Sequence, residues 1–97
     1  MRIAFVEWPA EFSVNDRQWH DLRNSVIAAN PEILITNELP FGSWLAESAV
    51  FSEAEARASI LMHEKGIEAL IDLDLPAVVS SRPVWNGNRL ANEAFVL

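Results

Sequence analysis

The chain has 97 residues, of which 51% are hydrophobic, so it is long enough for one small domain and too short for two. Its 14 acidic and 7 basic residues give a net charge of -7. This charge argues against nucleic acid or an anionic membrane as a partner, because both bind clustered Lys and Arg. The absence of cysteine excludes disulfides, thiolate metal sites and a cysteine nucleophile within this chain.

The apolar stretch after Met1 is too short for a signal peptide, because Glu7 interrupts it after Val6. No run of apolar residues in the sequence approaches the length that spans a membrane. We therefore expect a soluble, cytoplasmic protein with no membrane partner.

Two apolar runs in the first half of the chain predict strands. The first run, Arg2 to Trp8, is ended by Pro9 and is typical of a strand that is buried on both faces. The second run, Ile33 to Asn37, is almost continuously apolar. Two such strands with a helix between them are typical of a βαβ unit with a parallel sheet.

The predicted helix between these strands begins after a loop, at Asn15 or Asp16, either of which can cap its N-terminus. It ends at Asn30-Pro31, because a proline disfavours helical geometry at the preceding residue. Its apolar residues recur at helical spacing and form one face: Trp19, Leu22, Val26 and Ile27. We expect His20 and Asp21 to be exposed.

A longer helix is predicted in the second half of the chain. Ser52 is a good N-cap, and Glu55 three residues later completes a capping box. The helix is expected to run to about Leu73, before Leu75-Pro76. Its predicted buried stripe is Ile60, His63, Ile67, Leu70 and Ile71. A lone histidine on such a stripe is more often a hydrogen-bonded core residue than a ligand, which is our expectation for His63.

Two further strands follow. Ala77 to Ser81 is predicted as the third strand, limited by Arg82-Pro83, and Leu90 to Leu97 as the fourth. Asn86-Gly87 predicts a type I′ hairpin turn, in which both central residues have positive φ. The order β-α-β-α-β-β predicts an α/β fold with a mostly parallel sheet that ends in a hairpin.

Two features lead us to expect that residues 1–97 are part of something longer. The sequence ends within an apolar strand at Leu97, where a buried free carboxylate would be costly. Two helices also cannot cover both faces of a four-stranded sheet, and an uncovered apolar face makes a homo-oligomer the expected state. The alternative is an edge strand that happens to be last.

Glu38 is the leading candidate for chemistry. It follows the second strand, and in an open α/β sheet the carboxyl ends of parallel strands form the ligand crevice. Between Asn37 and the apolar Leu39 and Phe41, its carboxylate would be partly desolvated, which suits a general base near neutral pH. The structural alternative is a glutamate that caps a loop or pairs with Arg82 or Arg89.

No other set of residues completes a site. Neither histidine has a second ligand at a metal-binding spacing. The three glycines, Gly42, Gly66 and Gly87, are too scattered for a phosphate loop. Ser43 lacks the following glycine of a nucleophile elbow. We therefore expect no metal and no cofactor.

An apolar strand that ends in a glutamate followed by Leu-Pro-Phe-Gly, as in "NELPFGSWL", resembles the first catalytic motif of the nitrilase superfamily of carbon–nitrogen hydrolases. "RIAFVEW" resembles the opening strand of that family, although the family often has Gln where Glu7 stands. "ANPEILITNELPF" matches the stretch leading into the motif, and "AVVSSRPVWNGNRLANEAFVL" is similar to the next strand and hairpin, with Asn92 at a frequently seen Asn. The likeness covers the whole chain, but its specific part is only Glu38 to Gly42. Asn37 departs from it, since many members have Pro there.

The resemblance implies an α-β-β-α sandwich and a Glu-Lys-Cys triad that hydrolyses an amide or a nitrile. Only the glutamate has a counterpart here, Glu38, because the family's lysine and cysteine lie further along the chain. Lys65, the only lysine, falls inside the second helix and does not match. The resemblance thus implies the N-terminal part of such a hydrolase, inactive alone. The alternatives are a small acidic α/β binding or interaction module, and a self-contained domain with an ion-paired Glu38.

Overall fold

The computed structural model describes residues 1–8, 16–42 and 52–97 of the chain. Its elements are β1 (Ile3–Val6), α1 (Arg17–Ala29), β2 (Ile33–Thr36), α2 (Glu53–Asp72), β3 (Ala77–Asn86) and β4 (Arg89–Val96). This order confirms the predicted α/β fold. Pro9, the alternative cap Asn15 and Ser43 lie outside the described residues. Neither described helix is long and apolar enough to cross a membrane.

The four strands form one mixed sheet in the order β1-β2-β3-β4. β2 is parallel to both β1 and β3, whereas β4 is antiparallel to β3. The register aligns Phe5 with Ile35, Ile35 with Val79, and Val79 with Val96. These four side chains therefore point to the same face of the sheet.

Both helices contribute to one core on the opposite face. Leu34 of β2 and Val78 of β3 are buried there with Val26 of α1 and Leu70 of α2. The other face, here called the open face, is formed by Ile3, Phe5, Ile33, Ile35, Val79 and Val96. Phe5 is 77% exposed and Val96 is 69% exposed.

The prediction that the first strand is buried on both faces is wrong for β1, in which exposed and half-buried residues alternate. An apolar run reports that a strand is hydrophobic, but it does not report how many layers cover the sheet. Within the described residues, helices cover one face only.

The predicted ends of both helices are confirmed at the described caps, including the end of α2, where Leu73 is the C-cap. Asp16 Oδ1 accepts a hydrogen bond from the Gln18 N–H at 2.9 Å, and Asn30 ends α1 with a φ of 47°. Ser52 Oγ accepts from the Glu55 N–H at 3.3 Å at the start of α2. These caps are local contacts between residues near in sequence, which is why the sequence predicts them well.

The buried face of α2 differs from the predicted stripe. His63 and Leu70 are buried as expected, but Ile71 is 57% exposed. Small residues form much of the face that packs against the core: Ala56, Ser59, Gly66 and Ala69. A Cβ atom on Gly66 would lie 2.2 Å from the Phe41 ring, so the helix packs through small residues to admit that ring.

β3 extends past Arg82-Pro83, where the sequence predicted its end. The Val78 and Leu97 backbones exchange both hydrogen bonds, so Pro83, paired with Asn92, falls in a pair without hydrogen bonds. Its nitrogen therefore points away from β4, towards the side on which the paired part of β2 has ended. A proline is tolerated there because no N–H is needed.

The hairpin between β3 and β4 is present, but its turn is shifted by one residue from the prediction. Asn86 pairs with Arg89, so the two central residues are Gly87 and Asn88. Of these two, only Gly87 has positive φ, at 65°. This is the requirement of a type II′ turn, which places glycine first, and the type I′ prediction is wrong.

Candidate functional site

Glu38 lies just beyond β2, at the carboxyl ends of the parallel strands, as the sequence predicted. It borders a groove of about 330 Å³ on the open face. The apolar floor of this groove includes Ile35, Val79 and Ala94, and its polar lining includes Thr36, Ser81 and Asn92. Among the described lining residues, Glu38 is the one acid, and none is a Lys, Arg or Cys.

The Glu38 carboxylate is held by a residue from the hairpin. Asn92 Nδ2 donates to Glu38 Oε1 at 2.5 Å, across 54 residues of sequence. Among the described residues, no guanidinium pairs with Glu38, since Arg82 pairs instead with Glu93 at 2.8 Å. The contact with Asn92 orients the carboxylate at one oxygen and leaves Oε2 without a described donor.

The expected desolvation of Glu38 by its apolar neighbours is wrong, because Glu38 is exposed. Phe41, one of those neighbours, is fully buried in the core beneath α2. The chain turns between the two residues, so an acid and a ring three positions apart face opposite sides of the sheet. This turn accounts for the abrupt change from strand to "ELPFG".

The turn contains a strained residue, because Leu39 has a φ of 45°. A left-handed conformation costs a non-glycine residue about 1–2 kcal/mol. The Leu39 N–H donates to Ser81 Oγ of β3 at 2.8 Å. The Phe41 N–H donates to His63 Nε2 of α2 at 3.2 Å. Contacts on both sides of Pro40 therefore hold the strained conformation.

Asn37 fixes the start of the turn to the end of β1. Its N–H donates to the Val6 carbonyl at 3.1 Å, and its Oδ1 accepts from the Trp8 N–H at 2.9 Å. Many members of the family that the sequence resembles have a proline at this position. A proline has no N–H, so it could not make the first of these hydrogen bonds. Asn37 therefore links the ends of the parallel strands β1 and β2 through two hydrogen bonds.

Phe41 anchors the other end of the turn. Its ring is 5.3 Å from the Trp8 ring and 5.8 Å, edge-on, from the His63 ring. Trp8 in turn stacks on Trp19 of α1 at 5.5 Å. The aromatic cluster of Trp8, Trp19 and Phe41 thus joins both helices to the turn that carries Glu38.

His63 is a hydrogen-bonded core residue, as expected, and is 1% exposed. Its Nδ1 lies 2.7 Å from the Ser59 carbonyl oxygen, which can only accept, so Nδ1 carries the proton in the neutral ring. Nε2 is then the acceptor for the Phe41 N–H. Burial lowers the pKa of His63 below its usual value, opposed by backbone contacts with Ser59 and Leu39 that raise it.

Sequence reasoning missed the groups that hold Glu38 and its turn. From the sequence, Asn92 stands out only by its resemblance to a family position, and Ser81 only as the predicted end of a strand. Thr36 Oγ1, at the end of β2, and Ser80 Oγ, within β3, are also 2.6 Å apart. The available signal was the set of hydroxyl residues at the ends of two apolar strands, which the order of strands brings together.

The other predicted site features stand apart from this groove. Lys65 is exposed on α2 and borders a different groove with Trp19 and Asp72. His20 and Asp21 are exposed, as expected. In the described ranges, no three His, Asp or Glu side chains are grouped so that they could hold a metal ion.

Comparison with models of protein families, with curated proteins and with solved structures finds no match to this chain.

Proposed function

We propose that this chain forms the N-terminal part of a nitrilase-type hydrolase that acts on carbon–nitrogen bonds in small amides or nitriles, with Glu38 as its general base. The observation that carries the proposal is the placement of Glu38. Its carboxylate lies at the carboxyl ends of parallel strands, is oriented by Asn92 and borders a groove on the open face. A catalytic base needs this combination of fixed orientation and access to substrate.

The proposed reaction divides the roles between this chain and groups outside it. Glu38 accepts the proton of a cysteine thiol, and the thiolate attacks the amide or nitrile carbon. A lysine stabilises the negative charge that develops on the substrate. With an amide, Glu38 returns the proton to the leaving ammonia or amine, which forms a thioester. With a nitrile, the attack forms a thioimidate, and a first water must add to it before ammonia leaves and the thioester forms. In both cases Glu38 then activates the water that hydrolyses the thioester. The chain contains no cysteine, so it is expected to be inactive alone.

The open face supports the same proposal. Phe5 and Val96 expose large apolar surface beside the groove, which a second sheet would cover in an α-β-β-α sandwich. A covering layer of this kind would also bring the lysine and cysteine towards Glu38. The cytoplasmic location remains a prediction within this proposal.

The test compares two glutamine variants in the native polypeptide that contains this chain. Glu38→Gln keeps the shape of the side chain but cannot accept the proton, so we expect ammonia release from small amides and nitriles to fall about 10²- to 10⁴-fold. Because Glu38 is exposed, the melting temperature of the Glu38→Gln variant should be close to that of the wild type. Glu32→Gln removes another exposed carboxylate at the opposite end of β2 and should retain full activity.

Two results would contradict the proposal. One is a Glu38→Gln variant that loses several degrees of melting temperature yet keeps its specific activity. The other is a native polypeptide whose intact mass is the 10.9 kDa of this chain, because it would then contain no cysteine.

A second candidate function is a small acidic binding module, and the open face favours it independently of Glu38. An apolar sheet surface this exposed is typical of an interaction site, including one between identical chains. In this case Phe5→Lys should abolish self-association and weaken binding of the dye ANS, whereas Glu38→Gln should affect neither. A wild-type chain that is a monomer and binds no dye would exclude this candidate.

A further inference from the structure

His63 has both ring nitrogens engaged with backbone atoms of different elements. Nδ1–H donates to the Ser59 carbonyl within α2, and Nε2 accepts from the Phe41 N–H in the turn after β2. One imidazole therefore joins the middle of α2 to the turn after β2.

An apolar side chain of similar volume would not replace this ring. The Phe41 N–H belongs to a residue that is 0% exposed, so removing Nε2 would break a buried hydrogen bond that water cannot readily replace. Space around the ring is also restricted, because a Cβ atom on Gly42 would lie 3.0 Å from His63 Cε1. The position requires an acceptor in one particular place.

The link from His63 to Glu38 runs through Leu39. The Leu39 conformation, with a φ of 45°, is stable only while its neighbours are held. Ser81 holds the Leu39 N–H and His63 holds the Phe41 N–H. If the contact at Phe41 is lost, the backbone can relax, and the carboxylate one residue before Leu39 moves relative to Asn92 on β4.

We propose that His63 is a positioning residue for Glu38: by accepting the Phe41 N–H, it maintains the turn that directs the carboxylate to Asn92. The catalytic meaning of this role rests on the function proposed above, but the coupling between His63 and the contact of Glu38 with Asn92 does not. His63 itself touches neither the groove nor the reacting atoms. It acts through its hydrogen bonds with two backbone groups, the Ser59 carbonyl and the Phe41 N–H.

The test uses three replacements at residue 63 in this chain. His63→Gln keeps an acceptor that can reach the Phe41 N–H, His63→Leu keeps the volume without an acceptor, and His63→Asn keeps a polar group too short to reach. The readouts are hydrogen exchange of the Phe41 amide and the NMR signals of the Asn92 side-chain amide. Glu38→Ala supplies the reference signals of an Asn92 that has lost its carboxylate.

We expect His63→Leu and His63→Asn to speed exchange at the Phe41 amide at least about tenfold and to move the Asn92 signals towards those of Glu38→Ala. His63→Gln should restore both readouts towards the wild-type values. If His63 had only a structural role, all three substitutions would lower the melting temperature, and His63→Gln would not differ from the other two variants in either readout.

Folded His63→Leu or His63→Asn variants with wild-type Asn92 signals would overturn the proposal. If both variants fail to fold, His63→Gln decides, because Asn92 signals like those of Glu38→Ala would equally overturn it. None of these readouts requires turnover. A native polypeptide without amide or nitrile hydrolysis would therefore refute the proposed function and leave the positioning role standing. In an active enzyme, His63→Asn should lower kcat more than it raises KM, and His63→Gln should recover kcat.

Discussion

The chain turns after β2 through Leu39 and between β3 and β4 through Gly87, and both residues have positive φ, 45° and 65° respectively. At the hairpin, a glycine adopts this conformation without steric cost, and a Cβ added there would meet nothing within 4 Å. At the β2 turn, a leucine adopts it, and the turn is held by Ser81, His63 and Asn92.

The two turns differ in how their positive-φ conformation is stabilised. The hairpin turn has a glycine at its positive-φ position, so this conformation carries no steric cost. The β2 turn is stable only through contacts with β3, α2 and β4. Strain that is maintained by surrounding structure is concentrated at functional positions, and here it lies next to Glu38.

Phe41→Ala should be the most damaging change at the β2 turn. It removes a fully buried ring between Trp8 and Gly66, and we expect a loss of about 3–5 kcal/mol in the free energy of unfolding. Phe5→Ala is the matched control, because that ring is 77% exposed and its loss should cost no more than about 0.5 kcal/mol. Urea denaturation measures both. Equal losses would mean that Phe41 is not the anchor of the turn.

Gly87→Ala should be less damaging, with a loss of about 1–2 kcal/mol from the positive φ alone, since the added methyl group meets open space. Asn88→Ala, at the neighbouring position without positive φ, should change stability by no more than about 0.5 kcal/mol. Thermal unfolding of both variants provides the measurement. A neutral Gly87→Ala would show that the hairpin does not depend on its glycine.

Acid should distinguish the two turns, because only the β2 turn contains a buried histidine among its described contacts. The pKa of His63 in the folded chain lies below its ordinary value of 6.5. As pH falls through 6.5, the unfolded chain therefore binds a proton that the folded chain does not yet bind, and stability decreases until the folded pKa is passed. The loss is complete below that value and absent well above 6.5.

Denaturant unfolding between pH 5 and 8 tests this prediction. His63→Gln should lack the decrease attributable to His63, whereas His20→Gln, which removes an exposed histidine, should follow the wild type. The same slope in wild type and His63→Gln would show that His63 does not cause the decrease.

The sequence predicts the parts of the fold that depend on neighbouring residues. The caps at Asp16 and Ser52 are confirmed, as is the order of strands and helices. The continuation of β3 through Pro83 is not predictable in this way, because it depends on which side of the strand has a partner. The exposure of Phe5 has the same origin, since an apolar strand does not reveal the layer that covers it.

In the candidate site, too, the sequence predicts the features that depend on local pattern and not those that depend on distant contacts. The place of Glu38 at the end of a parallel strand follows from the alternation of strand and helix in the sequence. Its contact with Asn92 depends on the register of β4, which is 54 residues away in the chain. The sequence predicts His63 as a core residue, but its role as a hydrogen-bond acceptor depends on the path of the turn at Phe41, which hydrophobic spacing does not predict.

The separation of these contacts along the sequence has a consequence for the order of folding. The hairpin closes over two residues and can form within microseconds, whereas the contacts of Glu38, Leu39 and Phe41 span 54, 42 and 22 residues. The hairpin would then present Asn92 and Ser81 before the β2 turn docks against them. Pulse-labelling during refolding should protect the hairpin amides before those of Leu39 and Phe41, so that the proposed base acquires its fixed position among the last steps of folding.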